Sequence, residues 1–204
     1  NNVGAQSTPN VVVSIKPIHS IVSGLMKGVS RPQLLLESSD SAHTFHLKPS
    51  QLNLLSNADL VITIGDGFET GLKKTLRNIK VGSHIVVSEI DGLHLYDFRN
   101  VDINEMNKDE KDEHTDHDEH TDHDLHLWLD IDNMQKTAQY ISEQLIKIDS
   151  NNSNTYENNL VKIHSRLNKL KSELQQQIAP FRSERFAIFS DTLQYFEKSF
   201  QFQK

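Results

Sequence analysis

The run VVVSIKPIHSIVSGLM at residues 11–26 decides the fold of this chain. It begins with mostly β-branched residues and is stopped by Lys16 and Pro17, which is typical of a short buried strand. Apolar residues then recur at helical spacing as far as Gly28. They are Ile18, Ile21, Val22, Leu25 and Met26. The run therefore predicts a β-strand followed directly by an amphipathic helix.

The same alternation continues along the chain. Further strands are predicted at residues 33–37, 59–64 and 84–88, with helices at residues 49–55 and 68–78. Apolar strands that alternate with helices predict an α/β fold, here a four-stranded parallel sheet with helices on both faces. Ligands of such sheets bind beyond the carboxyl ends of the strands. His19, His43 and Gly65 all fall at predicted strand ends.

The second half of the chain is predicted to be mostly helical. A helix is expected at residues 131–148, and an apolar stripe behind a capping-box-like NTYE at residues 154–157 predicts one long helix. A strand at residues 185–189 and a helix at residues 192–200 then follow. The expected organisation is a disordered lead at 1–10, an N-terminal lobe at 11–130, a helix at 131–150, a long backbone helix at 152–181, and the start of an incomplete C-terminal lobe at 185–204.

Residues 109–126 read DEKDEHTDHDEHTDHDLH and contain the hexapeptide DEHTDH twice in succession. Histidines recur there at an unbroken spacing of three residues. They are His114, His117, His120, His123 and His126. Neutral imidazole suits zinc and other transition metals, and the interleaved carboxylates can orient the ring N–H groups. The pattern predicts a mobile, metal-binding loop over residues 107–125.

The negative charge of the chain is concentrated in this segment. The 204 residues carry a formal charge of −7, whereas nine carboxylates and one lysine give residues 109–126 a charge of −8. The nearly neutral remainder argues against nucleic acid as a partner. The sequence has no cysteine, which excludes the cysteine-rich structural zinc sites.

No apolar run approaches the length of a transmembrane helix, so the chain is not expected to span a membrane itself. It begins with a polar stretch and without methionine. A chain looks like this once its signal peptide has been removed, and the start is therefore compatible with export.

Several strings, taken in order, resemble one protein family. They are SIKP at residues 14–17 (first strand and turn), SAHTFHLKPSQ at 41–51 (first metal motif), NADLV at 57–61 with Gly65 (third strand), HLWLD at 126–130 (second metal motif), and FSD to YFEK at 189–198 (after the long helix). Over nearly all of its length the chain resembles the metal-binding, TroA-like class of ABC-transporter solute-binding proteins. More narrowly, it is similar to the periplasmic zinc-binding proteins of the ZnuA type.

This resemblance implies a periplasmic protein that captures Zn²⁺ as cargo, delivers it to an inner-membrane ABC permease and is not an enzyme. It implies that His43 and His126 are the first two zinc ligands. The third ligand of the family is a histidine before the Asp of the final motif, and Ser190 stands at that position here. The fourth is a carboxylate from the C-terminal lobe, of which only the first β-α unit is expected in this chain.

Further residues are candidates for a supporting role at the metal site. His46 follows His43 by three residues, and His19 lies where the first strand passes into its helix. Ser190 or Asp191 is a candidate to complete the site directly or through water. The remaining histidines have no partner at ligand spacing and are interpreted as surface or packing residues. They are His84, His94 and His164.

The leading hypothesis is the binding component of a zinc importer, with the histidine loop raising the local metal concentration. The alternative is a degenerate or truncated relative that acts as a histidine-rich periplasmic metal buffer. A zinc hydrolase is disfavoured because the sequence lacks a His-Glu-x-x-His pattern. Mn²⁺ prefers carboxylate-rich sites, so the histidines favour Zn²⁺ over Mn²⁺.

Overall fold

The computed structural model describes residues 8–36, 47–78, 82–99, 123–184 and 191–202. The predicted strand at residues 185–189 lies outside these ranges. Within them, none of the helices combines the length and the apolar composition that crossing a membrane requires.

Four short strands form a parallel sheet. They are β1 (Val11–Val13), β2 (Gln33–Leu34), β3 (Leu60–Thr63) and β4 (Ser83–Val86). Their order is β2-β1-β3-β4, with Val12 paired to Gln33 on one side and to Val61 on the other. Every residue of β1 and β3 is buried, as expected for central strands that are covered on both faces. The predicted α/β fold with a four-stranded parallel sheet is confirmed.

Three helices connect these strands. They are α1 (Lys16–Leu25), α2 (Pro49–Ser56) and α3 (Thr70–Asn78). Pro17 and Pro49 lie in the first turns of α1 and α2, where a missing N–H costs no helical hydrogen bond. The chain moves from β1 to β2 in one direction and then back past β1 to β3. The sheet therefore has a topological switch point between β1 and β3, where ligands of such folds bind.

Helix α3 begins at Thr70, two residues later than predicted from the sequence. The cause is Glu69, whose carboxylate accepts hydrogen bonds from the backbone N–H groups of Ile64 and Gly65 and so closes a turn ahead of the helix. The fourth strand is also shorter than predicted, because a 3-10 helix (Val87–Glu89) begins where it was expected to continue.

A two-stranded antiparallel ribbon follows the sheet. It pairs β5 (Tyr96–Asp97) with β6 (His123–Asp124), and Tyr96 lies opposite Asp124. Next to β6, Leu125 is 4% exposed and belongs to the hydrophobic core. The predicted end of the loop at residue 125 is therefore wrong, because residues 123–124 belong to the ribbon and Leu125 belongs to the core.

The second half of the chain is helical, as predicted. Its helices are α4 (Ile131–Ile148), α5 (Ser153–Ile178) and α6 (Gln194–Phe200). Asp130 caps α4 by accepting hydrogen bonds from the N–H groups of Asp132 and Asn133. The predicted capping box at residues 154–157 is wrong, because α5 begins at Ser153 and Asn154 already lies inside its first turn.

Helix α5 is the predicted long helix, and its two halves differ in burial. Its first half packs on α1 and α4 and buries Tyr156 and Ile163. Its second half leaves Leu170 44% exposed, and Phe181 just beyond it is 61% exposed. The apolar stripe read from the sequence is therefore real but only partly covered.

Asn10 corrects the predicted disordered lead at residues 1–10. Its backbone N–H donates to Asp59 Oδ2 at 2.7 Å, and its carbonyl accepts from the N–H of Asp59 at 2.8 Å. These bonds attach Asn10 beside β3, so the ordered sheet begins before the first residue of β1.

Candidate metal centre

The carboxyl ends of β1 and β3 are joined by one buried carboxylate. Glu69 is 2% exposed and accepts a hydrogen bond from the hydroxyl of Ser14, which directly follows β1. It also accepts from the N–H groups of Ile64 and Gly65, directly after β3, at 2.9 Å each. The side chain thus fixes both loops at the switch point of the sheet. Glu69 was not predicted as a functional residue, because a glutamate in the first turn of the helix predicted at residues 68–78 is an ordinary feature.

Burial raises the pKa of the Glu69 carboxyl above its usual range, although the hydrogen bonds from Gly65, Ser14 and Ile64 oppose that effect. The carboxylate lies too deep to be a freely accessible ligand. Its role in this geometry is to shape the edge of the sheet.

Gly65 lets the segment after β6 approach this edge closely. A β-carbon at Gly65 would lie 2.6 Å from Ser88 Oγ and 3.5 Å from Leu125 Cδ1. Since Leu125 directly precedes His126, this contact places His126 beside the end of β3. The position matches the place where parallel α/β sheets bind ligands.

The imidazole of His126 lies among aromatic rings. Its centroid is 5.5 Å from that of Phe68, in an edge-to-face arrangement, and 5.2 Å from that of Trp128. The side chain of His126 remains 22% exposed, so the ring is supported on its sides yet reachable from solvent. No function was assigned to Trp128 from the sequence, and the structure makes it one wall of this site.

A buried carboxylate determines which nitrogen of His126 is free. Asp124 Oδ1 lies 2.7 Å from His126 Nδ1 and 3.0 Å from the backbone N of His126, and the Asp124 side chain is 3% exposed. An ionised carboxylate only accepts hydrogen bonds, so Nδ1 carries the proton and Nε2 carries the lone pair. Within the described part of the chain, no hydrogen bond occupies Nε2. Metal-ligating histidines are oriented in this way.

Asp124 is ionised at neutral pH. Burial alone would raise the pKa of its carboxyl group, but hydrogen bonds from the side chain and backbone of His126 and from Gln194 outweigh burial and lower it. The negative charge next to Nδ1 makes the imidazole a better electron-pair donor at Nε2.

His123 repeats the arrangement on the outer side of the ribbon. Its Nδ1 lies 2.7 Å from Asp97 Oδ1, with 43% of the His123 side chain and 75% of the Asp97 side chain exposed. The carboxylates that orient the two described histidines of the repeat therefore differ in burial. The exposed pair is more weakly held than the buried one.

The other histidines of the described ranges are engaged elsewhere. His19 donates from Nε2 to the carbonyl of Pro32 at 3.0 Å, which draws its ring toward the start of β2. His94 Nδ1 lies 2.8 Å from Asp130 Oδ2, and His84 Nε2 lies 2.8 Å from Thr63 Oγ1. His164 donates to a backbone carbonyl of α4 at 3.2 Å.

Several predicted site residues lie outside the described residues. They are His43, His46, His114, His117, His120 and Ser190, and the side chain of Asp191. Among the residues that are described, no three His, Asp or Glu side chains form a group that could hold a metal ion. Of the two predicted cleft ligands, His43 and His126, only His126 therefore lies among the described residues.

The sequence matches the family model described as "Zinc-uptake complex component A periplasmic" over residues 11–204. The chain is 32% identical over 214 residues to the high-affinity zinc uptake system protein ZnuA of Brucella abortus (strain 2308), covering 93% of this chain and 64% of that relative. It is 25% identical over 198 residues to the protein of the same name from Yersinia pestis, covering 93% and 62%. The chain thus spans less than two thirds of the length of these relatives.

Solved structures show the same fold. A crystal structure of ZnuA superposes with a TM-score of 0.76 at 24% identity, covering 95% of this chain and 68% of the other. A Mn-bound periplasmic metal binding protein from Candidatus Liberibacter asiaticus superposes with a TM-score of 0.77 at 20% identity, covering 95% and 66%. At these identities the likeness supports the fold alone.

Proposed function

The chain belongs to the ZnuA family of periplasmic zinc-uptake components, and on that premise we propose that it captures Zn²⁺ as the substrate-binding component of an ABC-type importer. In this proposal the ion is cargo, which the protein binds in the periplasm and passes to an inner-membrane permease. No covalent bond is made or broken, so the protein is not an enzyme.

The observation that carries the proposal is the state of His126. Its Nδ1–H is held by the buried carboxylate of Asp124, and its Nε2 is unoccupied within the described ranges. A neutral imidazole with a fixed proton and a free lone pair is prepared to bind a transition metal. Its position beside the ends of β1 and β3 adds support, because this edge is the ligand-binding edge of the fold.

We assign His43 as the second protein ligand in this proposal. The chain leaves β2 through Leu36, whose N–H bonds the carbonyl of Ser14 at the carboxyl edge, and it enters α2 at Pro49. Leu36, the last described residue before His43, is thus attached at the same edge of the sheet as His126, which supports this assignment. Ser190 and Asp191 remain candidates to complete the coordination, directly or through water.

The histidine repeat is assigned a separate role in the proposal. His114, His117, His120 and His123 collect ions and raise their concentration near the cleft. Imidazole donors favour Zn²⁺, whereas Mn²⁺ prefers oxygen donors, so Zn²⁺ is the proposed cargo and Mn²⁺ the weaker competitor.

A calorimetric Zn²⁺ titration of three forms of the chain tests the proposal. The forms are the full chain, a deletion of residues 109–121 that leaves β6 intact, and His126→Gln. One site of unit stoichiometry and sub-micromolar Kd should survive the deletion and disappear in His126→Gln. A deletion variant that binds no zinc would contradict the proposal.

That contrary result would favour the metal-buffer hypothesis. Five histidines at a spacing of three, together with Ser190 at the position of a family ligand, are the observations behind it. A buffer should show several weak sites, all of which vanish with residues 109–121, and binding that is insensitive to His126→Gln.

A further inference from the structure

Helix α6 contacts the ribbon that carries Asp124. Its first residue, Gln194, is 3% exposed and donates from Nε2 to the carbonyl of Asp97 at 3.0 Å. The same amide nitrogen lies 3.4 Å from Asp124 Oδ2. Because Asp97 lies on β5 and Asp124 on β6, one side chain of α6 holds both strands of the ribbon.

Tyr195, the next residue, makes a second bridge between the strands. Its hydroxyl donates to the carbonyl of Asp124 and accepts from the N–H of Tyr96 at 3.3 Å. Tyr96 and Asp124 are directly opposite each other in the ribbon. Tyr195 is fully buried, which raises the pKa of its hydroxyl to about 12, so the group remains a protonated donor at neutral pH.

These contacts hold Asp124 at three points. Its Oδ1 faces His126, its Oδ2 faces Gln194, and its backbone carbonyl faces Tyr195. A carboxylate that is bonded through one oxygen alone can rotate about its Cβ–Cγ bond, because this torsion is broad. A donor on the second oxygen restricts that rotation and keeps Oδ1 directed at the imidazole.

We propose that Gln194 and Tyr195 are positioning residues for the metal ligand His126. They fix Asp124, and Asp124 in turn holds the imidazole with its proton on Nδ1 and its lone pair on Nε2. The inference rests on the proposed role of His126 as a zinc ligand. It makes α6 a part of the metal centre that never touches the ion.

The same contacts would be seen if α6 only stabilised the ribbon and had no effect on His126. A variant at Glu197 is the matched control that distinguishes the two roles. Glu197 is on the same helix and forms an ion pair with Arg99 rather than with Asp124. Glu197→Gln weakens the attachment of α6 without removing a donor to Asp124. An effect seen for Gln194→Met but not for Glu197→Gln therefore belongs to the positioning of Asp124.

The tautomer of His126 in the metal-free full chain is the primary readout. Two-bond ¹H–¹⁵N NMR correlations at pH 8, where imidazoles are neutral, distinguish the Nδ1–H from the Nε2–H form, and His126→Gln assigns the signals. The wild type and Glu197→Gln should show the Nδ1–H form alone. Gln194→Met should show a mixture of both forms, and Tyr195→Phe a smaller shift in the same direction. A pure Nδ1–H form in both Gln194→Met and Tyr195→Phe would overturn the inference.

Zinc affinity is the second readout and separates this inference from the proposed function. Competition titrations are made in the chain lacking residues 109–121. Gln194→Met should lower the zinc affinity by about 3- to 30-fold, which is less than the loss expected when the orienting carboxylate itself is removed. Glu197→Gln should lower it by less than about 2-fold. If the wild-type background binds no zinc while the tautomer still shifts, the positioning role stands and the proposed function fails. If zinc binds and neither the tautomer nor the affinity responds, the positioning role fails alone.

Discussion

Asp124 Oδ1 lies 2.7 Å from His126 Nδ1, and the carboxylate is buried while the imidazole remains partly exposed. The two residues are only two positions apart in a segment that is otherwise a polar repeat. Their pairing makes the His126 imidazole an oriented donor at the carboxyl edge of the sheet.

Loss of the Asp124 carboxylate should weaken zinc binding at the cleft. We expect Asp124→Ala to lower the affinity of the chain lacking residues 109–121 by about 10- to 100-fold, because the imidazole loses its orienting partner. Asp124→Asn should lose less, since its amide oxygen can still accept from Nδ1. Competition with a chromophoric chelator measures both, and equal affinities for Asp124→Ala and the parent would contradict this prediction.

Zinc should stabilise the folded chain through His126. At a free concentration 100 times the Kd of the cleft, the free energy of unfolding should rise by about 2.7 kcal/mol. Urea denaturation of the 109–121 deletion variant, with zinc and with a chelator, measures the difference. In His126→Gln the same addition should change the unfolding free energy by much less, and an equal gain in that variant would place the site elsewhere.

Replacing Glu69 should destabilise the edge of the sheet. Glu69→Gln places an amide NH₂ where the carboxylate accepts from backbone N–H groups, and an unsatisfied buried donor costs about 1–3 kcal/mol. Chemical denaturation at pH 7 measures this loss. Glu173→Gln, at an exposed position of α5, is the matched control and should change stability by less than about 0.5 kcal/mol.

The pH dependence of stability should carry the signature of Glu69. Burial raises its folded pKa above the ordinary 4.5, so the folded chain binds this proton more tightly than the unfolded chain. The stability that protonated Glu69 contributes is fully present below pH 4.5 and is lost as the pH rises through the folded pKa. The difference in unfolding free energy between the wild type and Glu69→Gln should therefore fall as the pH rises from 4.5. If this difference in unfolding free energy grew as the pH rose, the pKa of Glu69 would be lowered by folding and not raised.

A methyl group at Gly65 should destabilise the chain because of one neighbouring atom. The added β-carbon would lie 2.6 Å from Ser88 Oγ, and because this hydroxyl can rotate aside we expect a loss of about 1 kcal/mol, the lower end of the cost of overpacking. The double variant Gly65→Ala, Ser88→Ala removes that atom and should recover most of the loss. A double-mutant cycle by thermal or chemical unfolding measures the coupling, and strictly additive losses would show that the contact is not the cause.

The sheet could be predicted from the sequence because the residue patterns of its strands and helices lie within short segments. Short β-branched runs and helices with a buried stripe, as in residues 11–26, do not depend on distant partners. The ends of helices and strands were less predictable, since they depend on side chains that form hydrogen bonds with nearby backbone N–H groups. Glu69 delays α3 in this way, and Asp130 caps α4 with hydrogen bonds that no periodicity reveals.

For the site, the sequence by itself determined which donors are present. The histidine repeat, the isolated acidity and the HLWLD string singled out His126 and predicted the metal chemistry. Only the tertiary structure decided how His126 is held. Asp124 is one of nine carboxylates in its segment, and its burial by the ribbon and by Gln194, 70 positions away, follows from the fold and not from the sequence pattern. Composition and spacing fix chemical identity, whereas the orientation of a ligand depends on long-range contacts that form only when the chain folds.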